Sequence, residues 1–171
     1  MLKPLGASEG KMSFRTGFGF DVHRLAEGES LWLGGILIPH HQGTVAHSDG
    51  DVLIHAICDA LLGAAHLGDI GSNFPDTSAE FKNIDSKILL ARCCDLVRSR
   101  NYSISNVDST ICAQQPKLRP FIAGMEEKLA EIMGLDPDSV SIKATTTEKL
   151  GFEGREEGIS AYAVVLLESY L

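Results

Sequence analysis

The stretch AHSDGDVLIHAICDALLGA, residues 46–64, sets two histidines and three aspartates into what is otherwise a plain apolar helix pattern. At about 100° per residue, Leu53, Ile57, Ala60, Leu61 and Ala64 share one face, which predicts a helix from about Asp51 to His66. Ser48 and Asp51 read as a capping box at its start. Asp51, His55 and Asp59 recur at i, i+4 and i+8 and form one stripe roughly opposite the apolar face.

Residues 14–23 read as a strand, because Phe18, Phe20 and Val22 alternate with Gly19, Asp21 and His23. Residues 31–38 (LWLGGILI) read as a second strand. After the loop NFPDTS come a helix over 85–100, a strand over 104–113, a helix over 120–133 stopped by Gly134 and a strand over 139–146. The glycine-rich GFEGREEG leads to a last strand over 158–168. Strands and helices interleave without strict alternation, so the expected fold is α+β, layered, with helices on one face of a sheet. Residues 14–171 form a single domain. Residues 1–13 (MLKPLGASEGKMS) are polar and patternless and are expected to be a disordered leader.

Composition narrows the function. The chain has 171 residues, 44% hydrophobic and 22% charged, which suits one core-forming domain. Its net charge of −8 argues against a nucleic-acid partner, which needs clustered Lys and Arg. No apolar run approaches a membrane span, and the first residues lack the apolar core of a secretory signal, so an intracellular, soluble protein is expected. Cys58, Cys93, Cys94 and Cys112 form no CxxC pair and read as small core residues in a reducing compartment. A phosphorylated substrate would therefore have to be held by metal ions and a few placed cations.

Asp21 and His23, two apart on a strand, leave the same face and can pinch one ion. With His55 they offer two imidazoles and one carboxylate, a set that suits zinc with an open, catalytic coordination position. On spacing alone, Asp51 or Asp59 is an equal candidate for the carboxylate or for orienting an imidazole. His40 and His41 read as a turn and His66 as a helix end. In KATTTEKLGFEGREEG, residues 143–158, three threonines and Glu148 offer hydroxyls and a carboxylate to a hard cation, or else only a strand running into a turn. Lys117 and Arg119 in AQQPKLRP either meet phosphate or are surface charge.

The strings GFDVHRL, AHSDGDVLIHA, LGDIG, FPDT, NVDSTI, PKL and KATTTEKLGF, in this order over about residues 15–168, resemble the 2-C-methyl-D-erythritol 2,4-cyclodiphosphate synthase family of the non-mevalonate isoprenoid pathway. The resemblance implies a four-stranded mixed sheet backed by helices in a ferredoxin-like layer. It also implies a bacterial cytoplasmic homotrimer with an active site at each subunit interface. Asp21, His23 and His55 match its zinc ligands, and Glu148 matches the ligand of a second ion, magnesium or manganese. His47 and Ser48 match residues at the substrate's 2-phosphate end, and His47 with Thr146 match the pair that steadies the transition state. Asp69 and Gly71 match ribose contacts. Phe74, Pro75, Asp76, Thr77 and Ser78 match a flexible segment covering the substrate. Ala113, Gln114, Gln115, Pro116, Lys117, Leu118 and Arg119, with Ala144, Thr145 and Thr147, match the cytosine and phosphate pocket. Phe152 and Arg155 are expected near substrate and, with Phe20, on a cavity along the trimer axis that takes isoprenoid diphosphates. Ser78 and Gln115 depart from the family's usual residues.

The implied reaction is a phosphorus–oxygen lyase step: the 2-phosphate of 4-diphosphocytidyl-2-C-methyl-D-erythritol 2-phosphate attacks its own β-phosphorus and expels CMP. Two other readings of the same residues are a zinc-dependent phosphoester hydrolase and a protein that only binds isoprenoid diphosphates.

Overall fold

Two glycines on the first strand determine how the layers meet. The computed structural model describes residues 12–75, 81 and 83–170. Strand β1 (Met12–Glu27) runs beneath helix α1 (Val52–Ala64). A Cβ at Gly17 would lie 1.9 Å from the Ala60 carbonyl oxygen, and one at Gly19 1.9 Å from that of Ala56. Helix and strand therefore meet backbone to backbone, a separation that any side chain would increase.

This contact inverts the usual sense of the alternation. The glycine face of β1 is the buried one, and Phe14, Phe18, Phe20 and Val22 point away from the helices, with Phe18 65% exposed. On β7 (Gly158–Tyr170), Ile159, Ala161, Ala163, Val165 and Leu167 face the helices, while Tyr162 and Val164 join the exposed apolar face.

The remaining elements are β2 (Leu31–Leu33), β3 (Ile36–Ile38), β4 (Gln42–Val45), α2 (Ile70–Asn73), α3 (Ser86–Ser99), β5 (Ser103–Cys112), α4 (Ile122–Met133), β6 (Val140–Thr145) and α5 (Gly151–Gly154). The main sheet has five strands in the order β4-β1-β7-β5-β6, with β5 and β6 parallel and the other pairs antiparallel. The helices lie on one face, as expected of an α+β layer. Four strands were expected; the fifth, β4, reads Gln-Gly-Thr-Val and carries no alternation to reveal it. The sheet is also not ferredoxin-like: β5, α4 and β6 form a crossover between adjacent parallel strands, where a split unit would leave a strand between them.

Residues 31–38 are not one strand but a hairpin of β2 and β3. Gly34 (φ 58°) and Gly35 (φ 78°) both take left-handed conformations, which a tight two-residue hairpin turn requires. Gly134 (φ 66°) ends α4 as its spacing predicted. Pairing of β1 with β7 starts at Met12 opposite Tyr170, and Ser13 Oγ lies 2.8 Å from Ser169 Oγ, so order begins before Phe14. Residues 1–11 of the expected leader, and Asp76, Thr77 and Ser78 of the expected covering segment, lie outside the described residues.

Helix α1 is enclosed nearly all round, by the sheet beneath and α3 alongside, so in the stripe of Asp51, His55 and Asp59 the first is buried and the other two are half-buried. Val52, Leu53, Ile54, Ala56, Ile57, Cys58, Ala60, Leu61, Leu62 and Ala64 are all buried. Cys58, Cys93 and Cys94 are free thiols in this core, and Cys112 is half-buried.

Gly19→Ala should lower the unfolding midpoint by about 6–12 °C, corresponding to roughly 3 kcal/mol of overpacking. Gly63 is the control, because an added Cβ at this position on α1 would meet nothing within 4 Å. Gly63→Ala should raise the midpoint by about 2 °C through helix propensity alone. Thermal unfolding by circular dichroism measures both, and equal midpoints for the two variants would contradict the backbone-contact account.

Candidate metal centre and flanking cavities

On the helix side of β1, Asp21 and His23 project toward α1, where the pitch of the helix brings His55 over them. Asp21 Oδ2 lies 3.0 Å from His55 Nδ1 and 3.2 Å from His23 Nε2, and the two imidazole nitrogens are 3.1 Å apart. Three ligands on a tetrahedral ion with bonds of about 2.0–2.1 Å stand roughly 3.3 Å apart, so this triangle fits such an ion with little movement. The His55 side chain is only 11% exposed, and the rings of His23 and His55 meet edge to face at 86°.

The electrostatics divide the two imidazoles. Burial disfavours charge on His55, yet the hydrogen bond and attraction of Asp21 outweigh it and raise its pKa above the ordinary 6.5. For His23 burial prevails over the pull of Asp21, and its pKa is lowered. Charge is therefore favoured on His55, opposite Asp21, and disfavoured on His23.

The structure removes the two alternative carboxylates. Asp51 is wholly buried as the N-cap of α1, accepting from Ile54 N at 3.0 Å and from the hairpin amides Gly34 N at 3.0 Å and Gly35 N at 2.7 Å. Burial raises its pKa against those three donors. It caps the helix itself, so the expected box with Ser48 is absent; Ser48 Oγ instead accepts from Gly50 N at 3.1 Å. Asp59 accepts from Ile70 N at 2.7 Å and secures the start of α2.

Beyond the triad opens a cavity of about 430 Å³ whose wall includes His47, Ser48, Gly71 and Phe74. Asp69 stands outside that wall and caps α2, its Oδ1 accepting from Ser72 N at 2.7 Å and Ser72 Oγ at 2.6 Å, bonds that lower its pKa. A second cavity, of about 560 Å³, is lined by Ala113, Gln114, Pro116, Lys117, Leu118 and Arg119 from the β5 exit and by Ala144, Thr145 and Thr146 from the end of β6. Gln115, Thr147 and Glu148 flank it without lining it. Thr146 Oγ1 donates to Glu148 Oε1 at 2.9 Å, and Lys149 N donates to Gln114 Oε1 at 3.1 Å, so the loop after β6 is tied to the exit of β5. Phe20, Phe152 and Arg155 line neither cavity; the Arg155 guanidinium closes on Glu157 at 3.0 and 2.8 Å.

The two cavities lie toward opposite edges of the sheet at one level, the metal one on β1 just past the end of β4. Asp21 pairs with Ala161, Ala161 with Ile111, and Ile111 with Ala144. Three strand spacings, about 14 Å, separate the ends of that row.

Two residues of the centre had no sequence signal. Ser86 Oγ lies 2.9 Å from His55 Nε2, and its hydroxyl donates to Asp49 Oδ1. Asp49 lies close to His55 in sequence, but its link to the imidazole runs through Ser86, which α3 brings from 37 residues away.

The YgbB family model matches residues 14–168. A 2-C-methyl-D-erythritol 2,4-cyclodiphosphate synthase of Bacteroides fragilis is 63% identical over 156 residues, covering 91% of this chain and 98% of its own. The solved structure of the bifunctional IspDF from Campylobacter jejuni matches with a TM-score of 0.90 and 46% identity, over 94% of this chain and 43% of that longer one. A 2C-methyl-D-erythritol-2,4-cyclodiphosphate synthase solved in a CDP-bound form matches with a TM-score of 0.84 and 39% identity, over 90% of this chain and 99% of its own.

Because a divalent ion and a proton compete for His55, zinc binding should weaken as pH falls through that raised pKa, releasing a proton where His55 is charged. Calorimetry in buffers of different ionisation enthalpy reads the proton directly. Affinity that does not weaken as pH falls would contradict the charge favoured on His55.

Proposed function

The chain belongs to the YgbB family and has 2-C-methyl-D-erythritol 2,4-cyclodiphosphate synthase function in isoprenoid synthesis, and on that premise we propose how its residues divide the work. Asp21, His23 and His55 hold zinc, Glu148 holds magnesium or manganese, and three copies of the chain form a ring in which each site is shared by neighbours. The observation that carries this reading is the row Asp21–Ala161–Ile111–Ala144, whose ends are two half-sites at one level on opposite edges of the sheet. A head-to-tail cyclic contact joins the metal edge of one copy to the nucleotide edge of the next. The exposed apolar face of Phe14, Phe18, Phe20, Val22, Tyr162 and Val164 supports the ring, because it is an unusual surface for a chain that stays alone.

The substrate is 4-diphosphocytidyl-2-C-methyl-D-erythritol 2-phosphate. An oxygen of its 2-phosphate forms a bond to the β-phosphorus, the bond from that phosphorus to the CMP oxygen breaks, and the cyclic diphosphate and CMP leave, which makes the enzyme a phosphorus–oxygen lyase. The bound ions supply Lewis-acid neutralisation of the phosphates during this transfer. His47 and Ser48, on the wall of the metal cavity, hold the 2-phosphate end, and Gly71 and Asp69 hold the sugar. Phe74 and Pro75, with Asp76, Thr77 and Ser78, cover it. From the neighbouring copy, Lys117 and Arg119 meet phosphate, the segments Ala113–Arg119 and Ala144–Thr147 receive cytidine, and the Thr146 hydroxyl steadies the transferring group together with His47. No protein nucleophile is needed, which agrees with the core thiols of Cys58 and Cys94, whose pKa values burial pushes up, that of Cys94 to about 12. The ring's axis gathers Phe20, Phe152 and Arg155 into a cavity for an isoprenoid diphosphate, where a ligand phosphate would compete with Glu157 for Arg155. The setting is the bacterial cytoplasm; among the described residues no helix is long and apolar enough to cross a membrane.

Phosphorus NMR of the purified protein with this substrate should show the ring signals of the cyclic diphosphate and CMP; a linear product would instead support zinc-dependent hydrolysis. Glu148→Gln should keep zinc and lose most turnover, with partial recovery at high magnesium or manganese, whereas undiminished turnover would remove Glu148 from the site. Denaturing and refolding His55→Ala with Thr146→Ala in equal amounts should restore roughly a quarter of the sites, since random assembly of a ring pairs two intact halves that often. No recovery, with mixed oligomers confirmed by mass, would place both halves in one chain.

A further inference from the structure

We propose that Asp49 and Ser86 are a positioning pair that fixes which nitrogen of His55 faces the metal. The inference rests on the metal reading above and extends it to two residues to which the sequence assigned no role. Ser86 is wholly buried at the first turn of α3, and its Oγ lies 2.9 Å from His55 Nε2. Asp49 takes hold of that serine twice, accepting the hydroxyl proton on Oδ1 and the backbone Ser86 N–H on Oδ2 at 3.0 Å. A serine hydroxyl has one proton to give, and a carboxylate can only accept. With that proton committed to Asp49, Ser86 Oγ presents lone pairs to His55, and Nε2 must be the nitrogen that carries hydrogen.

The other nitrogen, Nδ1, is then the one left to face a bound ion in place of its proton, and it is the one that lies 3.0 Å from Asp21 Oδ2 and 3.1 Å from His23 Nε2. The chain Asp49–Ser86–His55 thus sets both the tautomer and the tilt of the ring, as partners of metal-bound imidazoles generally do. The pair is itself fixed in place. Asp49 N donates to Ile84 O at 3.2 Å, Asn83 N donates to His47 O at 2.7 Å, and Asp49 Oδ1 also accepts from Asp51 N at 3.3 Å. Ser48 Oγ, at 3.3 Å from the same Nε2, is the longer contact and already accepts from Gly50 N.

Ser86→Ala removes the hydroxyl and leaves the backbone bond to Asp49 intact, so it isolates the proposed contact. In the full-length protein, zinc affinity measured by chelator competition should fall about 10–100-fold in Ser86→Ala, a loss typical of removing such a partner. It should fall in the same direction in Asp49→Asn and recover in Ser86→Thr, with the unfolding midpoint of metal-free Ser86→Ala unchanged. Nitrogen-15 NMR of the zinc-loaded wild type should show the His55 proton on Nε2 in slow exchange with water, and in Ser86→Ala that proton should exchange fast, a readout that a merely structural serine would not move. Zinc affinity of Ser86→Ala within twofold of wild type, or zinc on Nε2 in the wild type, would overturn the pair while leaving the metal site standing. Zinc uptake indifferent to His55→Ala would overturn the metal reading and the pair with it.

Discussion

The contact of α1 with β1 through Gly17 and Gly19 is the constraint on which the rest of the structure depends. No side chain lies between the Ala56 and Ala60 carbonyls and the strand, so their separation is set by backbone van der Waals radii. That spacing holds His55 within reach of Asp21 and His23, which follow the glycines along the same strand face. Replacing the glycines with residues of ordinary size would lift the helix and open the ligand triangle before disturbing any ligand. The same contact obliges the phenylalanines of β1 to take the opposite face.

Asp51 completes the positioning at the other end of the helix. Its carboxyl group joins the first turn of α1 to the amides of the β2–β3 turn, so the hairpin and the helix share one buried acceptor. Asp59 performs the corresponding task for α2. The acidic residues around His55 therefore divide by position: Asp51 and Asp59, flanking it along the helix, hold backbone in place, and Asp21 and Asp49, from outside the helix, address the imidazoles or their support.

Much of this was legible in the sequence, and the parts that were not share a physical cause. The alternation on β1 identified a strand, but hydropathy assigns phenylalanine to the interior, and nothing local reveals that a helix backbone needs the glycine face. Asp51 at one helical turn from His55 was as plausible a ligand as Asp21, because its true partners, Gly34 and Gly35, are 17 and 16 residues upstream in a turn that read as mid-strand. Ser86 carries no spacing to His55 at all. Strand β4 lacks alternation because it is a four-residue edge strand in which Gly43 faces the backbone of Ser30 at close range. The motifs around Asp21, His55 and Thr146 were legible because each is local; what joins them is tertiary.

The placement of two cavities toward opposite edges of one sheet would, in the proposed ring, have a genetic consequence. In the proposed ring each chain lends its metal edge to one neighbour and its nucleotide edge to the other. A copy damaged at both edges, yet still able to assemble, would silence the two sites it borders and spare only the one formed between its neighbours. An allele encoding such a chain would act dominantly over a normal one in the same cell, whereas an allele that prevented folding would be recessive. Inheritance would then distinguish lesions of the edges from lesions of the glycine-packed core.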